Sequence, residues 1–166
     1  MLVLAPLRVE ALAAGARKLG RRPPAEPFVL VGTCGAVDPS LRAGDVVVAT
    51  EVRHRGSTLA VDAGVAERLR HLDPRTGPIE TVDRIAGPAE RAALDGVLAV
   101  DLESYWVEPH AVVRVVVDEP GRRLLHPRTL AAGVRALRTL RRVGRAIRSP
   151  RCRSRFDSPP ASPGTS

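Results

Sequence analysis

Three carboxylates stand where short apolar runs end. Residues 97–100 (VLAV) lead into Asp101, with Glu103 two positions on, and the run VVRVVV leads into Asp118. β-Branched runs of this length read as strands buried in a sheet. In an open α/β sheet, loops and helix N-termini converge on a ligand at the carboxyl ends of the strands, so acids there are candidates for a site. Taken singly, each acid has a plainer role as the N-cap or first-turn residue of the next helix. Together the three weigh toward a site. A further feature is VGTCGA over 31–36, which reads as a small-residue turn straight after a strand, followed by Gly44, Asp45 and the run VVVATEV. Glycines at 32 and 35 let a ligand approach the backbone, and Thr33 offers a hydroxyl and an amide. The run is neither GxGxxG nor a Walker loop, and a tight connection is its plain alternative.

The elements that must position these residues follow from the same alternation. Strands are expected over 2–5, 28–31, 45–52, 79–82, 97–100 and 112–117, with helices over 7–19, 61–72, 88–94 and 102–107 between them. The clearest helix is 127–148. Leu130, Val134, Leu137 and Leu140 recur there at helical spacing, and arginines fill much of the rest of the wheel. The pattern predicts an α/β fold of three layers, a mostly parallel or mixed central sheet flanked by helices. No linker divides the chain. One domain over 1–148 is expected, followed by a disordered Arg/Ser/Pro-rich tail over 149–166.

Charge excludes less than its total suggests. The formal net charge of +8 resides entirely in residues 122–166, with 12 Arg against one acid, while residues 1–121 hold 14 basic and 17 acidic side chains. With two Phe, one Tyr and one Trp, the chain also lacks the interleaved aromatics of single-strand binders, so nucleic acid is not an expected partner. Cys34 and Cys152 make neither a disulfide framework nor a metal cluster, and no metal or other cofactor is expected. The opening MLVLAPL has no basic lead, and no apolar stretch approaches membrane-spanning length, so a cytoplasmic protein without membrane contact is expected.

The run GTCGAVDPSLRAGDVVVATEVR resembles the signature of purine nucleoside phosphorylases and methylthioadenosine/S-adenosylhomocysteine nucleosidases, a G-[ST]-x-G-[GA] run preceding x-P-x-L-x-x-G-D. VDLESYWV is similar to the V-E-M-E segment of that superfamily, and VVRVVVD to its R-x-[IV]-S-D strand. VLAP with VEA at the start and GPIETVDRI between complete the family order, over roughly 2–140. The hopanoid-associated phosphorylase-like branch looks nearest in character.

The resemblance implies cleavage of the N-glycosidic bond of a purine nucleoside, adenine nucleosides above all, by hydrolysis or with phosphate as co-substrate. Such a reaction passes through an oxocarbenium-like sugar and needs an acid for the leaving base, anchors for the sugar hydroxyls and a nucleophile. Asp118 falls where the family acid protonates the base at N7, and Glu103 where a glutamate grips the ribose 2′- and 3′-hydroxyls. Glu10 is near the position that holds the attacking water. Gly32, Thr33 and Gly35 lie on the nucleophile side, Asp101 stands in the sugar-binding segment, and Arg53 with His54 follows the strand that brings polar groups toward the sugar. Relatives also imply a homo-oligomer.

Departures are specific. Only 17 residues separate Glu10 from Phe28, about half the family spacing, which implies an N-terminal deletion of a strand or two. Asp101 replaces a glutamate, Val117 stands where Ser usually precedes the acid, and the aromatic that stacks on the purine is not evident. Two further readings follow: a weak or inactive nucleoside-binding homologue, and an interaction module built on the arginine-rich helix.

Overall fold

The β-branched runs fold into strands, and in this computed structural model the described residues are 2–20, 22–119 and 127–149, without the side chains of 127–130. In chain order the elements are β1 (Leu2–Ala5), α1 (Arg8–Ala14), β2 (Arg17–Lys18), β3 (Phe28–Ala36), β4 (Val46–His54), β5 (Ser57–Ala60), α2 (Val65–Leu69), β6 (Arg75–Thr81), α3 (Pro88–Ala92), β7 (Ala99–Asp101), α4 (Ser104–Val107), β8 (Ala111–Asp118) and α5 (Pro127–Arg148). The strands join one mixed sheet. β2 pairs β1 and β1 pairs β3, both in parallel, and β3 runs parallel to β8 from Val29 opposite Ala111 to Gly35 opposite Asp118. β8 lies antiparallel to β4, β4 parallel to β6, β6 parallel to β7, and β7 returns antiparallel to β3. The sheet thereby closes on itself through β3, β8, β4, β6 and β7, leaving β2 and β5 as edges.

Alternation along the strands sorts the core into layers. Val29, Val31, Val113 and Val115 pack against Ala11 and Ala14 of α1, Leu69 of α2 and Ala136, Leu140, Val143 and Ile147 of α5. Val112 and Val116 point the other way, into a cluster with Cys34, Ala36, Val47, Ala49 and Ala99 that fills the closed part, with Tyr105 of α4 packed against it. Each fully buried valine or leucine stabilises the fold by about 1.5–3 kcal/mol relative to exposure. The architecture is the three-layer α/β fold with a mixed sheet and flanking helices that the alternation predicts.

The differences have local causes. VGTCGA is not a turn: Gly32–Ala36 continues β3, because β8 offers a parallel ladder as far as Gly35 and β7 pairs Gly35 and Ala36. The register slips between Cys34 and Gly35, passing over Val117 and bringing Asp118 opposite Gly35. Such an irregularity re-aims side chains near a site. The helix expected over 7–19 stops at Ala14, where Gly15 adopts φ 61 and closes it in the left-handed region, and the chain leaves as β2. On α5, Val134 is 44% exposed, since the buried stripe follows Ala136, Leu140, Val143 and Ile147. Part of its arginine face is structural: Arg148 Nη1 donates to the Ala14 carbonyl at 2.7 Å and Arg135 Nη1 to that of Ala43 at 3.5 Å. The tail expected from 149 lies, Ser149 apart, outside the described residues. No described helix is long and apolar enough to cross a membrane.

Candidate active site

A hollow of about 240 Å³ opens where β3 and β8 end and β7 turns into α4. Glu10, Thr33, Gly35, Asp101, Glu103 and Asp118 all border it, as does Arg91, and Leu7, Ile85 and Leu102 give it an apolar rim. Three sequence-predicted residues are placed elsewhere. Gly32 lies just behind the wall, and Arg53 turns to Glu51 on its own strand, Nε to Oε1 2.6 Å. His54 is buried, with Nδ1 2.8 Å from the Thr81 carbonyl, and packs on Tyr105 and Trp106 instead of the hollow.

At one end, Glu10 stands in the first turn of α1, 2% exposed. Its Oε2 accepts from the Leu7 amide at 3.2 Å, the returning half of a capping box, while Oε1 accepts from both the amide and the hydroxyl of Thr33, at 2.8 and 2.7 Å. Thr33 therefore spends both donors on fixing a carboxylate.

Arg114, on β8, is fully buried and meets the carboxylates of the hollow without bordering it. Its Nη2 is 2.6 Å from Asp101 Oδ2, 2.8 Å from Ser104 Oγ and 3.4 Å from Glu103 Oε2. Asp101 also accepts from Thr81 Oγ1 at 2.7 Å and from the hydroxyl of Ser104, so protein donors occupy both its oxygens and it orients Arg114. Among the described residues, Arg114 Nε and Nη1 find no hydrogen-bond partner. Leaving such a donor buried and unsatisfied costs about 1–3 kcal/mol, and Arg114 is not among the residues that border the hollow. Burial pushes the Glu103 carboxyl above its ordinary range, and Arg114 holds it back.

At the far end, Asp118 Oδ2 meets Arg91 Nη1 at 2.8 Å, both side chains nearly buried. Burial raises the affinity of Asp118 for its proton, and the Arg91 guanidinium opposes that rise. The Cys34 thiol, pushed by burial up to about 12, is inert as a nucleophile. Among the described residues, no group of His, Cys, Asp and Glu has the makings of a metal centre.

Neither arginine stands out as a site residue in the sequence reading. For Arg114 there is a signal: a charge inside VVRVVV must be buried if the run is a core strand, and a buried guanidinium demands carboxylate partners. Arg91 sits in an ordinary polar helix and carries no such mark.

No family model matches the sequence, and no curated protein matches it. Solved structures do. The chain superposes on the S. pneumoniae 5′-methylthioadenosine/S-adenosylhomocysteine nucleosidase bound to a transition-state inhibitor with a TM-score of 0.67 at 15% identity, covering 87% of this chain and 96% of that one. The Campylobacter jejuni nucleosidase gives 0.64 at 13%, covering 88% and 95%, and the Helicobacter pylori futalosine hydrolase 0.66 at 11%, covering 87% and 95%. The chain has the nucleosidase fold.

Within the nucleosidase fold, Gly32 explains how a buried arginine reaches the carboxylates. A Cβ at Gly32 would stand 2.3 Å from Arg114 Nη1 and 3.3 Å from Glu10 Oε2. Gly32→Ala is therefore expected to displace the guanidinium and cost about 1–3 kcal/mol of stability. Thermal unfolding checks this, and an unchanged midpoint would mean that Arg114 has room to move.

Proposed function

We propose that the chain hydrolyses the N-glycosidic bond of purine nucleosides, with adenine nucleosides as its substrate class. One observation carries the reading: Glu10, Glu103 and Asp118, from three separate elements, border a single hollow in a nucleosidase fold. In this arrangement Glu103, with Arg114 Nη2 behind it at 3.4 Å, binds the sugar hydroxyls, Asp118 gives a proton to the departing base, and Glu10 takes one from the attacking water. The C1′–N9 bond breaks with its electron pair passing to the base, and water oxygen bonds to C1′. Bonds to the hydroxyls strengthen as positive charge develops on the ring, which is the differential binding that accelerates the step.

Water is favoured over phosphate by the Glu10 contacts. The Thr33 amide and hydroxyl, the donors best placed to cradle an anion, both point to the Glu10 carboxylate, and phosphate there would face a like charge. The apolar rim of Leu7, Ile85 and Leu102 supports a substrate with an apolar 5′ substituent, in keeping with the hopanoid-associated resemblance. Residues 1–148 form the catalytic domain in this reading. The homo-oligomer it implies is supported by Leu12 and Val9, 85% and 51% exposed on α1, where a second copy would cover them.

The test is chromatographic release of adenine from adenosine and 5′-modified adenosines, with and without phosphate. Release is expected to be independent of phosphate and to fall about 10²–10⁴-fold in Asp118→Asn. Equal background in wild type and variant would overturn catalysis, and melting-temperature elevation by nucleosides without turnover would then identify a binding protein.

A further inference from the structure

The contact between Arg91 and Asp118 is absent from the roles set out above. Arg91 belongs to α3, whose start is fixed by Pro88 and by the Gly87 amide donating to Glu90 Oε2 at 2.8 Å. From there the side chain runs inward, 3% exposed, to the wall of the hollow. Its path depends on Gly35: a Cβ there would lie 2.9 Å from Arg91 Nη1. The guanidinium grips Asp118 twice, at Oδ2 at 2.8 Å and at the main-chain carbonyl at 3.4 Å. A buried ion pair is weak warrant for stability, since desolvation offsets most of its attraction. At the wall of a site, beside the acid, it bears directly on that acid.

We propose that Arg91 is a positioning residue for the leaving-group acid: held at Oδ2, the Asp118 carboxyl presents Oδ1 to the departing base, and Arg91 faces the charge left on Asp118 once the proton has gone. This rests on the nucleosidase reading. The proton moves from Oδ1 to the base nitrogen as the C1′–N9 electron pair passes to the base. Asp118 is left as a carboxylate opposite a fixed cation, and solvent returns the proton after the base departs. Burial raises the hold of Asp118 on its proton, while Arg91 eases the proton's departure. Among the described residues, the other charged or titratable groups bordering the hollow or next to Asp118 are Glu119 along the chain, Glu10 from α1, Asp101 and Glu103 at the end of β7 and after it, and the Cys34 thiol from β3, with Arg114 paired to Asp101 and Glu103. Among the described residues, Arg91 is the cation in contact with Asp118.

The experiment is the pH profile of kcat and KM for adenine release by wild type, Arg91→Gln, Arg91→Lys and Gly35→Ala. In Arg91→Gln the cation that favours the carboxylate is gone, so Asp118 keeps its proton to higher pH. The alkaline limb should move up by about 1–3 pH units, while kcat at the optimum falls about 10²-fold through lost orientation and KM changes little. Arg91→Lys should keep the limb near its wild-type position. Gly35→Ala, which retains the charge but displaces it, should shift the limb in the direction of Arg91→Gln. A limb that stays put in Arg91→Gln, with or without loss of rate or of melting temperature, overturns the role of Arg91 alone. A wild type silent toward every purine nucleoside at every pH overturns the function and the proposal together.

Discussion

Glu10→Gln is expected to lower base release about 10²–10⁴-fold while leaving nucleoside binding nearly intact. Among the described residues, the Glu10 carboxylate is held by N–H and O–H donors and not by a cation: the Leu7 amide at Oε2 and the two Thr33 donors at Oε1. Those bonds fix it at the wall of the hollow in a geometry that accepts one more proton. Glutamine keeps the shape and can keep Oε1 as the acceptor for Thr33, but it has no basic site for the proton of an attacking water. Its amide would also set an N–H₂ group against the Leu7 N–H, donor against donor, at a stability cost of about 1–3 kcal/mol. Rate, binding and stability therefore separate. kcat should collapse, the rise in melting temperature with added nucleoside should persist, and the unliganded melting temperature should fall modestly. If kcat is unchanged and only the melting temperature falls, Glu10 is a helix cap and another group activates water.

The strands and the long C-terminal helix were legible because burial imposes its pattern on neighbouring residues: β1 and α5 have their expected limits, and β8 differs from its expected span by one residue at each end. What escaped depends on partners distant in sequence. The glycines at 32 and 35 suggested a turn, yet they lie in a strand, and what they admit are the side chains of Arg114 and Arg91, 82 and 56 positions away. No local rule distinguishes a glycine that turns the backbone from one that clears a path. β2 and β5 are short, exposed edge strands without an apolar signal, so β2 reads as the end of the helix expected over 7–19 and β5 as loop. Strand ends alone placed Glu103 and Asp118 together, the addition of Glu10 was legible only through the resemblance, and of the two arginines Arg114 lies inside the resembling run VVRVVVD without a role there while Arg91 lies outside it.

Gly144→Ala is expected to be among the most destabilising single-methyl changes in the chain. A Cβ at this position would lie 1.8 Å from the Ala14 carbonyl oxygen and 2.7 Å from its carbon, both main-chain atoms at the end of α1. Side chains swing away from such a contact; a backbone that carries the buried Ala11 and Ala14 and leads from Glu10 does not. Helices α1 and α5 must move apart, opening the cluster around Val143 and Ile147 and pulling Arg148 from the Ala14 carbonyl it meets at 2.7 Å. Overpacking of this kind costs about 1–3 kcal/mol or more, and at about 2–4 °C per kcal/mol for a chain of this size the melting temperature should drop by several degrees at least. Gly133→Ala, on the same helix with nothing within 4 Å of its added methyl, supplies the control. There the helix gains about 1 kcal/mol from propensity alone, so the two alanines should move the melting temperature in opposite directions. Because α1 also carries Glu10, Gly144→Ala should lower turnover at temperatures where the protein is still folded, a coupling that Gly133→Ala should not show. Similar melting temperatures for the two variants would mean that the close crossing of α1 and α5 does not hold Glu10 in place.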